Sequence, residues 1–250
     1  MKEDEIYVYG KHAVAEALEN APEGVVKKVF FAPAIDDGML FTLMKKRNMA
    51  PFPLSAKALS SAGRDASHQG VIALVDTGPL MIPLDRFLEG LDMTRKPALA
   101  LLGEIQDPHN VGAIIRSSAA FGVSGVLIPK DRQAPVTGAV VKSSAGMAFR
   151  VPLISIGNVN QAIRALKDKG FWIYGLAGDG ANSLPKESFT EPAVFVVGNE
   201  SKGIREKTEE LCDVMLRIPT HPRTESLNAA VSAATVMYAW SVQHPEAIRN

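Results

Sequence analysis

From Pro97 onward, short apolar runs alternate with stretches of helical periodicity. Ala98 to Leu102, Gly125 to Pro129, Phe171 to Ala177, Ala193 to Val197 and Val214 to Pro219 each read as buried strands. A mostly parallel sheet covered by helices satisfies this pattern, so the expected fold class is α/β. The final pattern, Ser226 to Gln243, predicts a long helix with Leu227, Val231, Ala234 and Tyr238 near helical spacing. Ala229, Ala230, Ala233 and Ala239 keep that helix thin, so another element can pack closely against it.

The first third has a different texture. Gly10 to Glu19 predicts a short amphipathic helix, Val25 to Phe31 a strand, Met39 to Arg47 a helix and Val71 to Val75 another strand. Periodicity fades between Gly78-Pro79 and Thr94-Arg95-Lys96-Pro97, apart from a helical piece around Leu84 to Leu91. The 250 residues thus divide into a small α/β domain over 1–77, a linker over 78–97 and a larger domain over 98–250.

Charge and cysteine content narrow the function. The 27 basic and 27 acidic residues balance, and residues 1–77 carry 9 basic and 10 acidic groups, so any nucleic-acid contact must come from a local patch. Candidate patches are Lys11, Lys27, Lys28 and the run Lys45-Lys46-Arg47, although a charge run is also what a solvated helix face looks like. The single cysteine, Cys212, cannot form an intramolecular disulfide or a thiolate metal cluster, which points to a reducing cytoplasm. An acidic start, Met1-Lys2-Glu3-Asp4-Glu5, and the lack of any run near the roughly 18 apolar residues of a membrane span predict a soluble, unprocessed chain.

Three segments leave a predicted strand through a polar turn and enter a helix, the position where open α/β sheets place their sites. The first runs from Leu101 through Asp107-Pro108-His109-Asn110 to Arg116, with Asn110 at the turn and Arg116 about two turns into the helix. The second is Val197-Gly198-Asn199-Glu200-Ser201-Lys202-Gly203, with Glu200 at its apex. The third runs from Leu216-Arg217-Ile218-Pro219 to Ser226-Leu227-Asn228. Taken singly, Asn110 and Ser226 are ordinary helix caps, Arg116 a solvated charge and Glu200 an acid favoured at a helix start. Three such strand ends together imply one composite pocket.

Other chemistries lack their signatures. There is no G-x-x-x-x-G-K-[ST] loop, G-x-S-x-G elbow or H-E-x-x-H pair, and His12, His68, His109, His221 and His244 show no ligand spacing, so no catalytic metal is expected. The loop Gly175-Leu176-Ala177-Gly178-Asp179-Gly180 reads G-x-x-G-x-G rather than G-x-G-x-x-G, a weak basis for a nicotinamide-dependent oxidoreductase.

At the three segments the sequence resembles the SpoU branch of the knotted SPOUT methyltransferases, the ribose 2'-O-methyltransferases of bacterial ribosomal RNA. The resemblance runs through Asp107 to Gly122, Val141-Lys142-Ser143-Ser144-Ala145-Gly146-Met147, Gly198 to Gly203, Ile218-Pro219 and Ser226-Leu227-Asn228. Thr220 to Glu225 departs from the Met and Gly that the family usually carries after Ile-Pro. Tyr9 to Val14 and His68 to Val71 are similar to the L30e-like substrate-binding domain that many members carry.

The resemblance implies a C-terminal trefoil knot, a homodimer that completes the site, and S-adenosylmethionine as cofactor. It places cofactor contacts on Gly198, Ile218 and Leu227, with Leu176 and Gly178 nearby. It gives Arg116 the removal of the hydroxyl proton, and Asn110, Glu200, Ser226 and Asn228 the orientation of the ribose and loops. Lys11, Lys45, Lys46 and Arg47 are the expected RNA contacts. The expected substrate is 23S ribosomal RNA, with transfer RNA or a non-catalytic ribosome-assembly role as alternatives. An arginine is a poor base on ordinary grounds, so gripping a phosphate is an equal reading of Arg116. A sulfonium methyl needs neither metal nor covalent intermediate, only alignment and proton removal.

Overall fold

The computed structural model describes residues 4–33, 35–62, 68–224 and 226–249. Met1 to Glu3 of the acidic start, and Glu225 in the loop after Pro219, lie outside the described residues. Two compact units are present, one of residues up to Met81 together with Val136–Arg150, the other of Ile82–Pro135 and Val151–Asn250.

The first unit begins with β1 (Glu5–Tyr9), α1 (Lys11–Asn20), β2 (Val26–Phe31), α2 (Gly38–Lys46), β3 (Pro51–Pro53), α3 (Ala56–Ala62) and β4 (Val71–Asp76). Its sheet has the order β1-β4-β2-β3, with β4 antiparallel to β1 and β2, and β3 parallel to β2. Val8, Val14, Leu18, Val29, Leu40 and Met44 are buried, each contributing about 1.5–3 kcal/mol by leaving water. Asp37 caps α2 by accepting from the Leu40 N–H at 3.2 Å, and Lys11 pairs with the same carboxylate at 3.0 Å.

Two of the cations expected to meet RNA are therefore engaged within the fold. Lys11 is held by Asp37, and the Arg47 guanidinium donates to the carbonyls of Leu18, Ala21 and Pro22 at the end of α1. Those carbonyls have no helical partner, and a planar five-donor group is suited to collect them. Lys45 and Lys46 remain exposed in the last turn of α2.

The second unit carries β5 (Met81–Pro83), α4 (Leu84–Glu89), β6 (Ala98–Leu102), α5 (Pro108–Ala120) and β7 (Gly125–Pro129). After α6 (Gly138–Ser143) come β8 (Leu153–Ile156), α7 (Val159–Asp168), β9 (Trp172–Leu176), β10 (Asn182–Ser183), β11 (Ala193–Val197), α8 (Glu206–Glu209), β12 (Val214–Arg217) and α9 (Ala229–Gln243). The eight strands have the order β10-β12-β9-β11-β6-β7-β8-β5, and the pairings from β10 through β8 are parallel. Leu99, Leu101, Leu127, Ile154, Val194 and Val196 form a core with Ile163 and Leu166 of α7, while α5 and α9 pack together. The α/β class with a mostly parallel sheet follows from the continuously apolar strands, buried on both faces. Among the described residues no helix is long and apolar enough to cross a membrane.

Two boundaries differ from expectation. Residues 78–97, expected as a linker, hold β5 and α4, with β5 at the sheet edge and Leu84, Phe87 and Leu91 packed on the core. Val136–Arg150, expected inside the 98–250 domain, belongs to the first unit. There α6 lies on β1, and Arg150 pairs with the buried Glu16 at 2.6 Å. Gly146, at φ 81°, occupies a spot where a Cβ would come within 2.5 Å of Glu16, so a left-handed backbone and the lack of a side chain are both required.

Replacing Arg47 by alanine should lower the stability of the first unit by about 1–3 kcal/mol, because three carbonyls lose a charged donor. Lys46→Ala should stay within about 0.5 kcal/mol. Urea denaturation of both variants measures the contrast.

Candidate active site

The site is built at the carboxyl ends of parallel strands. Register sets Leu176 level with Leu216, and Val196 level with Gly175, so β12, β9 and β11 end side by side. Leu176 closes β9, Gly198 follows β11 and Ile218 follows β12, which brings three of the five expected cofactor residues to one edge of the sheet. Leu176, Ile218 and Leu227 are half-buried, and space is open beside the backbone at Gly178.

Hydrogen bonds join the three polar segments. Glu200 Oε1 accepts from the Asp107 N–H at 3.1 Å and from Asn110 Nδ2 at 3.0 Å, and Oε2 accepts from the Gln106 N–H at 3.2 Å. Asn110 Oδ1 accepts in turn from Asn228 Nδ2 at 2.9 Å. Asn228 Oδ1 caps α9, taking the N–H groups of Ala230 at 2.9 Å and Val231 at 3.3 Å. Asn228, not Ser226, is thus the cap, and α9 starts at Ala229 because only Asn228 reaches the free N–H groups. Ser226 lies exposed two residues earlier.

The Glu200 loop is itself fixed. Asn199 and Gly203 exchange backbone hydrogen bonds, and Asn199 Oδ1 accepts from the N–H groups of Ser201 and Lys202. A Cβ on Gly198 would come within 2.4 Å of the Gly203 carbonyl carbon, so the loop closes only over glycine. Burial pushes the Glu200 carboxyl up, but the Asn110 amide and the backbone N–H groups of Asp107 and Gln106 outweigh it and hold the group below its ordinary value of 4.5.

Arg116 stands apart from this network. It is exposed on α5, two turns beyond His109 on the same face, and forms no ion pair among the described residues. Beside it a shallow apolar groove runs between α5 and α9, lined by Asn110, Ala113, Ser117, Val231, Thr235 and Tyr238. Val231, Tyr238 and Val242 are 49%, 58% and 60% exposed.

Sequence reasoning missed one feature of the same sheet edge. A cavity of about 940 Å³ opens beyond β6, β7 and β8, lined in part by Glu104, Asp131, Arg132, Asn158, Arg205 and Lys207. Glu104 and Arg132 both have left-handed backbones, at φ 67° and 57°, and their carbonyls are held by Asn199 and Gln106. A positive φ in a non-glycine residue leaves no mark in a sequence.

The glycine loop after β9 does not form a dinucleotide cradle. Gly175 packs against Met215 and Cys212, Gly180 lies under the backbone of β12, and a two-residue strand, not a helix, follows. Cys212 precedes β12 at the opposite edge of the sheet, and burial pushes its thiol up to about 12, which rules it out as a thiolate nucleophile. Among the described residues no group of three or more His, Cys, Asp or Glu side chains is placed to hold a metal ion.

Comparison with known proteins places this geometry. Residues 97–238 match the model of the SpoU rRNA methylase family, and residues 7–79 match that of the RNA 2'-O ribose methyltransferase substrate-binding domain. The chain belongs to the SpoU rRNA methylase family. Within that family it is 34% identical to the 23S rRNA (guanosine-2'-O-)-methyltransferase RlmB of Photobacterium profundum, over 92% of this chain and 95% of that protein. It is equally 34% identical to the RlmB of Neisseria meningitidis, over 92% of each chain. The SpoU methyltransferase AviRb of Streptomyces viridochromogenes, solved with AdoMet, shares the fold at a TM-score of 0.82 and 23% identity, over 97% of this chain and 91% of that one.

Because Glu200 is held below its ordinary value in the folded state, its stabilisation is complete above about pH 4.5 and disappears as pH falls through the folded value. Acid titration of unfolding should show a gap between wild type and Glu200→Gln at neutral pH that closes below pH 4.5. A gap independent of pH would contradict the assignment.

Proposed function

We propose that the protein transfers a methyl group from S-adenosylmethionine to a ribose 2'-hydroxyl of 23S ribosomal RNA. The observation that carries this reading is the union of three strand-end segments through Glu200, Asn110 and Asn228. Relatives named for 23S rRNA, matched over nearly the whole chain, support ribosomal over transfer RNA.

The half-buried Leu176, Ile218 and Leu227 offer apolar walls, and the open backbone at Gly178 offers amide and carbonyl groups, which suit an adenosyl ligand. When bound, the cofactor supplies an electrophilic methyl. The chain's own residues have to align the hydroxyl with it and provide for the proton. Glu200 and Asn110 are already engaged with one another, which suits them to hold the loops in place. Ser226 is exposed beside the Asn228 cap, where it can reach a ribose. Arg116, without an acidic partner among the described residues, is available to grip the phosphate beside the target ribose or to assist proton removal.

The exposed face of α5 and α9 supports a homodimer in which Arg116 works across the interface from the strand ends of the other copy. The neighbouring positions of β11 and β6, with β12 outside β9 and α9 returning onto α5, support a trefoil knot closed by the C-terminal segment. Lys45 and Lys46 remain candidate RNA contacts.

Labelled methyl transfer to RNA from cells lacking the protein, followed by nucleoside digestion, should put label in a 2'-O-methylnucleoside of 23S rRNA. Label on a base would overturn the proposal. Arg116→Ala should reduce the rate by at least about 100-fold. Mixing it with a Gly198→Val protein, also inactive alone, should restore activity through hybrid dimers. No restoration would refute a shared site.

A further inference from the structure

The sheet of the first unit is closed on one face and half open on the other. On the closed face Phe31 stacks on Phe41 of α2, with ring centroids 4.9 Å apart. On the other face α3 packs over β1 and β4, where Tyr7, Ala58 and Ile72 are buried together. Among the described residues the cover ends before β2 and β3. Phe30 is only half-buried, Phe52 is 41% exposed, and the Lys28 ammonium lies 5.2 Å from the centroid of the Phe52 ring. Tyr7, Phe30 and Phe52 form a row, with successive centroids 6.4 Å and 6.0 Å apart.

The setting of Phe52 is unusual for an exposed ring. It sits between Pro51 and Pro53 on the edge strand β3, so the backbone beneath it is stiff. Prolines on both sides also remove the N–H groups by which another strand could pair with this edge. A β-strand from a protein partner is thereby disfavoured, while the ring face and the cation stay accessible. Lys28 has no acidic partner among the described residues, in contrast to Lys11 and Lys27, which pair with Asp37 and Asp76.

An aromatic face beside an unpaired cation fits a nucleotide, whose base stacks while its phosphate meets the charge. We propose that Phe52, backed by Phe30 and flanked by Lys28, is a stacking platform for an unpaired base of the RNA substrate. The base displaces the Lys28 ammonium from the ring, and the ammonium moves to the adjacent phosphodiester. This rests on the reading of the chain as an rRNA methyltransferase, and it adds a preference for a substrate that carries a single-stranded element. Neither Phe52 nor Phe30 carries charge, so a search for basic residues finds Lys28 but not the rings beside it.

The test uses the full chain with a single-stranded oligouridylate, an RNA duplex of equal length and a 23S rRNA transcript. Phe52→Ala should weaken oligouridylate binding by about 5- to 150-fold, the range for one stacked base, and leave duplex binding unchanged. Phe52→Trp should keep the affinity, and its added fluorescence, measured against wild type, should be quenched by the oligonucleotide. Lys28→Gln should lower the salt dependence by about 0.7 in log–log slope. Unchanged single-strand affinity in Phe52→Ala, with no quenching in Phe52→Trp, would overturn the platform. Weakened binding to ribosomal particles but not to naked RNA would overturn it in favour of a protein partner. Wild-type methyl transfer to the transcript is scored separately, so loss of the platform and failure of the methyltransferase reading give different results.

Discussion

The Glu200 carboxylate is the joint on which the site depends. It accepts two backbone N–H groups from the turn before α5 and the Asn110 amide within it, and Asn110 carries the connection to the cap of α9. Charge-assisted bonds of this kind are stronger than neutral ones, and the N-terminus of α5 adds a favourable dipole. Each member satisfies another's hydrogen-bonding groups, so loss of one leaves partners unpaired, the costly condition for a polar network.

The joint is possible because a parallel sheet delivers its strand ends to a common edge. β6, β11, β9 and β12 are neighbours although they are distant in sequence, so residues 110, 200 and 228 meet. Gly198 lets the second loop fold back on Gly203 within less space than any side chain would need. Apolar residues at Leu176, Ile218 and Leu227 then complete the edge with half-buried walls instead of further charge.

Much of this was legible in the sequence because continuously apolar strands and polar turns leave local marks. β6, β7, β9, β11 and β12 fall where the apolar runs are, and Asn110, Glu200 and Asn228 stand at the turns. What was not legible depends on tertiary contact. The short β5, β8 and β10 are fixed by neighbouring strands, and the docking of Val136–Arg150 on the first unit rests on a Glu16–Arg150 pair separated by 134 residues. The basic run misled for a related reason: Lys45, Lys46 and Arg47 are alike in sequence, yet only Arg47 is turned back to the carbonyls at the end of α1.

The most direct measurement is a double-mutant cycle on methyl-transfer rate with Asn110→Ala and Glu200→Gln, singly and together. If the two side chains act as one joint, the double variant should be little slower than the slower single variant, giving a coupling of about 1–3 kcal/mol. Rate losses that simply add would contradict the account, because Asn110 and Glu200 would then serve the reaction independently.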